Sequence, residues 1–184
     1  MNKLRVFISS TMRDLQEERM ALAKAINKNR FWEAVYAEAF VARTESPREI
    51  CLEEVRKSHI YIGIFKSRYG YIPKNNPQGL SVVALEYNEA RNVQIPIFIF
   101  IFKNVSYREP RLEEFLKGIT DFDKGHWVKK YSTINELVRF TLEAINSELI
   151  REYVKAIDAK RKEQIMNIYN LPYFERVMKK LKND

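Results

Sequence analysis

The stretch LRVFISSTMRDLQEE, Leu4–Glu18, decides how the rest of the chain is read. Leu4, Val6, Phe7 and Ile8 form a short apolar run, mostly β-branched or aromatic, as a strand covered on both faces requires. Ser9, Ser10 and Thr11 break that run with small hydroxyl side chains, which compete for backbone hydrogen bonds and so favour caps and turns. Asp14, Glu17 and Glu18 then fall in the first turns of an expected helix, where negative charge meets the positive end of the helix dipole. Small polar residues between a buried strand and a helix start are where open α/β sheets place ligands. An ordinary strand–turn–helix junction has the same pattern, and both readings stand at this point.

Outward from this stretch, Leu15, Ala21, Leu22, Ala25 and Ile26 share one face of a helix expected over 14–29. Trp32–Tyr36 reads as a second, short strand, followed by Glu38 and Phe40. Ser46-Pro47-Arg48-Glu49 combines a serine cap, proline at the first helical position and an acid at the third, so a helix is expected from there to about Ser58. Ile60–Phe65, IYIGIF, is apolar throughout and reads as the central strand, with Gly63 allowing close packing. Residues 66–80 form a long polar loop, of the kind that carries function in compact domains. Ser81 caps the next helix, with Val83, Ala84, Tyr87 and Ala90 facing inward, and Ile95–Phe102 follows as a fourth buried strand. A short helix over 110–117, an edge strand over 126–130 and an amphipathic helix over 133–150 complete the pattern. Alternating helices and continuously apolar strands predict a three-layer α/β sandwich over residues 1–150. Its parallel sheet has five strands in the order 2-1-3-4-5, which is flavodoxin-like.

Residues 151–184 carry no strand signal and read as a helical tail. Tyr153, Ile157, Ile165, Ile168 and Tyr169 continue the helix, and a second helix is expected from Pro172 to near Leu181. A stripe this regular is more than a solvated helix needs. It packs back on the sheet domain or pairs with a second copy, and the expectation adopted is a homodimer.

The 184 residues are 46% apolar and 30% charged, which describes one soluble domain with a core and an appendage. No apolar run approaches the ~18 residues of a membrane span. The first residues enter a strand at once, leaving no signal peptide, and Cys51 is the single cysteine, so a reducing, cytoplasmic setting is expected. A net charge of +8 favours anionic partners. The basic residues nonetheless alternate with acids, with no compact block, zinc-finger spacing or RNA-binding aromatic motif, which weighs against nucleic acid as a partner. His59 and His126 lack metal-ligand spacing, Cys51 begins an apolar helix face, and no metal or bound cofactor is expected. Neither a G-x-x-x-x-G-K-[ST] loop nor a G-x-S-x-G elbow occurs, which removes P-loop hydrolysis and serine hydrolysis.

Four segments carry a family resemblance: VFISSTMRDLQEER at Val6–Arg19, CLEEVRKSHIYIGIFKSRYGYIP at Cys51–Pro73, SVVALEYNEA at Ser81–Ala90 and IPIFIFI at Ile95–Ile101. Together they resemble domain-of-unknown-function family 4062. That family is similar in fold to Toll/interleukin-receptor (TIR) domains and nucleoside deoxyribosyltransferases, and its members often open large signalling or defence proteins. The resemblance implies a nucleotide-recognising domain, with hydrolysis of an N-glycosidic bond of NAD or a nucleoside as its activity. A protein–protein interaction module is the alternative. It also implies a role for Glu86, since a glutamate on a helix beside the pocket attacks or stabilises the ribosyl carbon in those enzymes. Val83 and Ala84 depart from the family, which usually has a threonine and a polar residue there.

The residues themselves supply a matching set. Cleaving an N-glycosidic bond develops oxocarbenium-like charge that a carboxylate stabilises or captures. Glu86 stands at the border of the buried stripe of its helix, placed either for that task or simply to support the helix. Ser9, Ser10 and Thr11 suit phosphate or ribose hydroxyls, or capping alone. Glu38 follows the second strand, where an acid holds ribose hydroxyls in nucleotide-binding sheets. Arg68 offers a planar donor fork and Tyr69 a stacking ring; the other reading has Arg68 paired inside the fold, with Asp14 as partner, and Tyr69 packing the loop. Ser81 joins the ligand-binding set as the cap of the Glu86 helix. Asp14 and Arg19 are read as structural.

Overall fold

The protein is described by a computed structural model that covers residues 3–42, 44–74, 76–169 and 179. In chain order the elements are β1 (Leu4–Ser10), α1 (Gln16–Asn27), β2 (Trp32–Val35), a 3-10 turn (Ala37–Ala39), α2 (Pro47–Arg56) and β3 (Ile60–Phe65). They continue with α3 (Val82–Asn92), β4 (Ile97–Phe102), α4 (Pro110–Ile119), β5 (Lys129–Tyr131) and α5 (Ile134–Tyr169). The sheet has five strands in the order β2-β1-β3-β4-β5, and every pairing is parallel. This is the flavodoxin-like order that the apolar strands and right-handed crossovers predict.

Register determines which side chains share a face. Phe7 pairs with Tyr61, Ser9 with Gly63, and Gly63 with Ile99. Because side chains alternate along a strand, Phe7, Ser9, Tyr61 and Ile99 lie on one face. There Phe7, Tyr61 and Ile99 join Val55 of α2, Val83, Ala84, Tyr87 and Ala90 of α3, and Leu112, Leu116 and Ile119 of α4 in one core cluster. Phe7 stacks on Tyr61 at 6.1 Å and the Tyr61 ring meets Tyr87 edge-on at 6.4 Å. Gly63 is tightly packed: a Cβ there would stand 3.0 Å from Ile99 Cδ1 and 3.0 Å from Phe65 Cε2. Val6, Ile8, Ile60, Ile62 and Ile64 are equally buried and alternate to the other face.

The helix starts follow their local chemistry. Ser46 Oγ accepts from the Glu49 backbone N–H while the Glu49 carboxylate accepts from the Ser46 N–H, the capping box that Ser-Pro-Arg-Glu predicts. Ser81 Oγ accepts from the Ala84 N–H at 3.2 Å. α1 begins at Gln16 rather than Asp14, and Leu15 provides no side-chain cap. Asp14 is engaged elsewhere, accepting from Thr11 Oγ1 at 2.5 Å and from Ser67 Oγ at 3.0 Å, so residues 12–14 form a turn. β5 is also shorter than the strand expected over 126–130. His126 N–H donates to the Ile119 carbonyl at 2.8 Å, and its ring lies 3.0 Å from the Tyr87 hydroxyl, which draws that stretch away from the sheet.

The chain divides into two compact units, Met1–Ala144 and Ile145–Asp184. The first contains the whole sheet with α1 to α4. In the second, α5 continues unbroken to Tyr169, with Ile150, Tyr153, Val154, Ile165 and Met166 exposed. The second tail helix, expected from Pro172, lies outside the described residues. No helix among the described residues is long and apolar enough to cross a membrane.

Candidate functional site

α3 places Glu86 between Val83 and Ala90, three residues before and four after it on the buried stripe, so the side chain is carried inward to 6% exposure. The end of β1 supplies its partner. Ser9, itself 1% exposed, donates from Oγ to Glu86 Oε2 at 2.5 Å. The Cys51 thiol of α2 bonds the same carboxylate. Tyr61 of β3 holds its hydroxyl buried, without a hydrogen-bond partner among the described residues, and close enough to feel the Glu86 charge. Four elements thus converge on one carboxyl group.

Burial dominates the electrostatics of this cluster. It pushes the Glu86 carboxyl up to about 7, against the hydrogen bonds from Ser9 and Cys51 and the more distant Arg19 charge, which favour the carboxylate. It also pushes the Cys51 thiol up to about 12, with Glu86 adding to the effect, so the sulfur stays protonated and serves as a donor. The Tyr61 phenol moves well up for the same two reasons. A carboxyl group poised near neutrality can exchange a proton or act as a nucleophile within the physiological pH range, and such groups cluster at functional sites.

Ser10 and Thr11 belong to a second network. Arg19, 1% exposed, donates to Ser10 Oγ at 2.7 Å, to the Thr11 carbonyl at 2.7 Å and to the Met12 carbonyl at 3.1 Å. Its other donors grip Glu38, with Nε 2.9 and 3.0 Å from the two carboxylate oxygens and Nη2 closer still. Arg19 therefore ties the end of β1 to the turn after β2, and Glu38 is spent on neutralising it. A third network holds the loop after β3. Lys66 reaches Glu18 at 3.2 Å, and Gly70, at φ +98°, packs against Thr11 and Ser81, where a Cβ would be 3.1 Å from Thr11 Cγ2. Ser81 is committed to capping α3.

Arg68 and Tyr69 turn toward α4. Arg68 Nε lies 4.0 Å from Glu109 Oε1, and the Tyr69 backbone N–H donates to Glu109 Oε2 at 2.8 Å. The Tyr69 ring is buried edge-on against Phe115 at 6.0 Å. Among the described residues no hydrogen bond or ion pair joins Arg68 to Ser9, Ser10, Asp14 or Glu86. The structure thus brings Ser9 to Glu86, Ser10 and Thr11 to Arg19 and Glu38, and Thr11 to Gly70 and Ser81, while Arg68 and Tyr69 stand apart. Sequence reasoning missed Cys51 and Tyr61 as partners of Glu86 and Arg19 as the organiser of Ser10 and Glu38. The one available signal was a cysteine and a tyrosine within otherwise aliphatic runs.

A parallel five-stranded sheet with a buried carboxyl group at the end of β1 defines a flavodoxin-like α/β domain with a candidate site at its switch point. Residues 5–162 match the family described as domain of unknown function (DUF4062), and the chain belongs to that family. It is similar to Telomerase protein component 1 of Mus musculus, 28% identical over 175 residues and 76% of this chain, and of Rattus norvegicus, 36% identical over 88 residues and 38% of this chain. The chain spans 6% of the length of the mouse protein and 3% of the rat one. Among solved structures, that of Clostridium botulinum CMP N-glycosidase, BcmB, aligns with a TM-score of 0.47 at 13% identity, covering 75% of this chain and 98% of that one.

Proposed function

We propose that this domain recognises a nucleotide at the end of β1 and that Glu86 acts on the N-glycosidic bond of NAD or a nucleoside, in the signalling or defence setting that the family resemblance implies. The observation that carries this reading is the Ser9–Glu86 pair: a buried carboxyl group near pH 7, fixed by a hydrogen bond at 2.5 Å. In the ionised form the carboxylate attacks or faces the anomeric carbon as the bond to the base breaks and the base leaves with the electron pair. Water then returns the sugar as the free hydroxyl and restores Glu86. Ser9 orients the carboxylate, and the neutral Cys51 thiol donates to it without competing as a nucleophile. Incubation with NAD and a panel of nucleosides, read as free base by chromatography, tests this. Release by the wild type and none by Glu86→Ala is the expected result. Release that survives Glu86→Ala removes the role given to that residue.

A second reading, self-association without turnover, has its own support in the exposed Ile150, Tyr153 and Val154 on α5. Size measurement by light scattering decides it. A dimer that Ile150→Asp/Val154→Asp converts to a monomer fits this reading, and a wild-type monomer at high concentration rules it out.

A further inference from the structure

Four basic side chains that are scattered along the sequence, Lys103, Arg108, Lys117 and Lys130, meet at one place. A groove of about 710 Å³ opens between α4 and the β4–β5 edge of the sheet. α4 turns Glu113, Leu116, Lys117 and Thr120 toward it, at the i, i+3, i+4, i+7 spacing of a single helix face. Ile101 and Lys103 face it from β4 and the residue after it, and Val128 and Lys130 from β5 and the residue before it. The pairing of Ile101 with Lys130 sets the two strands in register, and Lys129, on the opposite face, covers Phe140 instead. With Arg108, the lining presents four cations against the single carboxylate of Glu113. Lys117 and Lys130 are exposed and form no ion pair among the described residues. Arg108 is held in place by the Lys66 and Phe102 carbonyls at 2.9 and 2.6 Å.

Three large aromatic side chains neighbour this lining in the chain without being part of it. Tyr107 precedes Arg108, Phe122 follows Thr120 by two residues, and Trp127 precedes Val128. They are 65%, 98% and 95% exposed, which is unusual for rings of that size in a folded domain. Cations that follow a phosphate backbone, beside rings on which unstacked bases can lie, are the combination that binds single strands without sequence preference. From these features we infer that the α4/β4/β5 groove binds single-stranded nucleic acid, a few nucleotides at a time. A duplex keeps its bases stacked and offers the rings nothing, and an acidic peptide matches the charge but not the rings. Neither Ser9 nor Glu86 lines this groove, so the inference stands or falls separately from base release.

The test is fluorescence anisotropy of the full chain with a labelled ten-nucleotide oligo(dT) or oligo(U), over a range of salt concentrations. The same strand in a duplex and a labelled poly-glutamate peptide serve as competitors. Engagement of three or four phosphates predicts a log–log salt slope of about −2 to −3. Lys117→Glu/Lys130→Glu, at exposed positions, is expected to weaken binding more than tenfold with an unchanged thermal melt. Phe122→Ala/Trp127→Ala is expected to weaken it about 5- to 150-fold per lost stacked base while leaving the salt slope in place. No binding at 50 mM salt, equal or tighter binding of duplex or peptide, or affinity unchanged in the charge-reversed variant each overturns the inference.

Discussion

Replacing Glu86 with glutamine should stabilise the protein at alkaline pH, although it removes a charge from a hydrogen-bonded, buried cluster. The folded protein keeps the Glu86 proton up to about pH 7, whereas an unfolded chain releases it near the ordinary glutamate value of 4.5. Between those values the folded state holds one more proton than the unfolded state, so stability falls as pH rises. The contribution is fully present below 4.5 and is lost once pH has passed 7. Moving a carboxyl group from 4.5 to about 7 costs about 3 kcal/mol, at about 1.4 kcal/mol per pH unit. Glutamine has the same shape, still accepts from Ser9 Oγ and never ionises, so it escapes that cost. Urea denaturation of wild type and Glu86→Gln at pH 5, 6, 7 and 8 measures the difference, with every other titrating group common to both. The two curves should meet near pH 4.5 and diverge to about 3 kcal/mol in favour of the variant at pH 8. Parallel curves, or a variant less stable at pH 8, would refute the burial argument. A natural sequence that retains the less stable glutamate at such a site fits a residue kept for chemistry.

Ser9→Ala deletes the hydrogen bond that favours the ionised form, so the decline in stability should still begin near pH 4.5 but continue further above pH 7, and about 1–3 kcal/mol should be lost at pH 8; the same urea series reads both. Glu38→Ala leaves the buried Arg19 guanidinium without its counter-charge and should cost about 3–5 kcal/mol by thermal or chemical denaturation. The exposed Arg139–Glu143 pair should cost under about 1 kcal/mol when broken in the same assay. Gly70→Ala puts a Cβ at φ +98° and 3.1 Å from Thr11 Cγ2, and a loss of about 1–3 kcal/mol is expected.

Most of the fold was legible because its signals are local. Ile60–Phe65 is bounded by polar residues and emerges as β3 with those limits, and Ser46 and Ser81 cap the helices they were expected to cap. The candidate site was legible only where one residue sufficed. Glu86 is marked by its place on an apolar stripe, but its partners come from β1, α2 and β3, and only the strand register brings them together. Arg68 and Tyr69 were expected at the crevice because they follow β3. Glu109, about forty residues later in the chain, instead binds that backbone and guanidinium on the α4 side. The basic groove was illegible for the same reason: Lys103, Arg108, Lys117 and Lys130 alternate with acids along the chain and meet only across α4 and the sheet edge.

The most direct test is carbon-13 NMR of the labelled glutamate carboxyl groups, followed against pH with and without NAD and the nucleoside panel, and assigned by Glu86→Gln. One carboxyl resonance should titrate near pH 7, disappear in the variant and shift when the recognised nucleotide is added. A Glu86 resonance that titrates below pH 5 and does not respond to any nucleotide would contradict the account at its root.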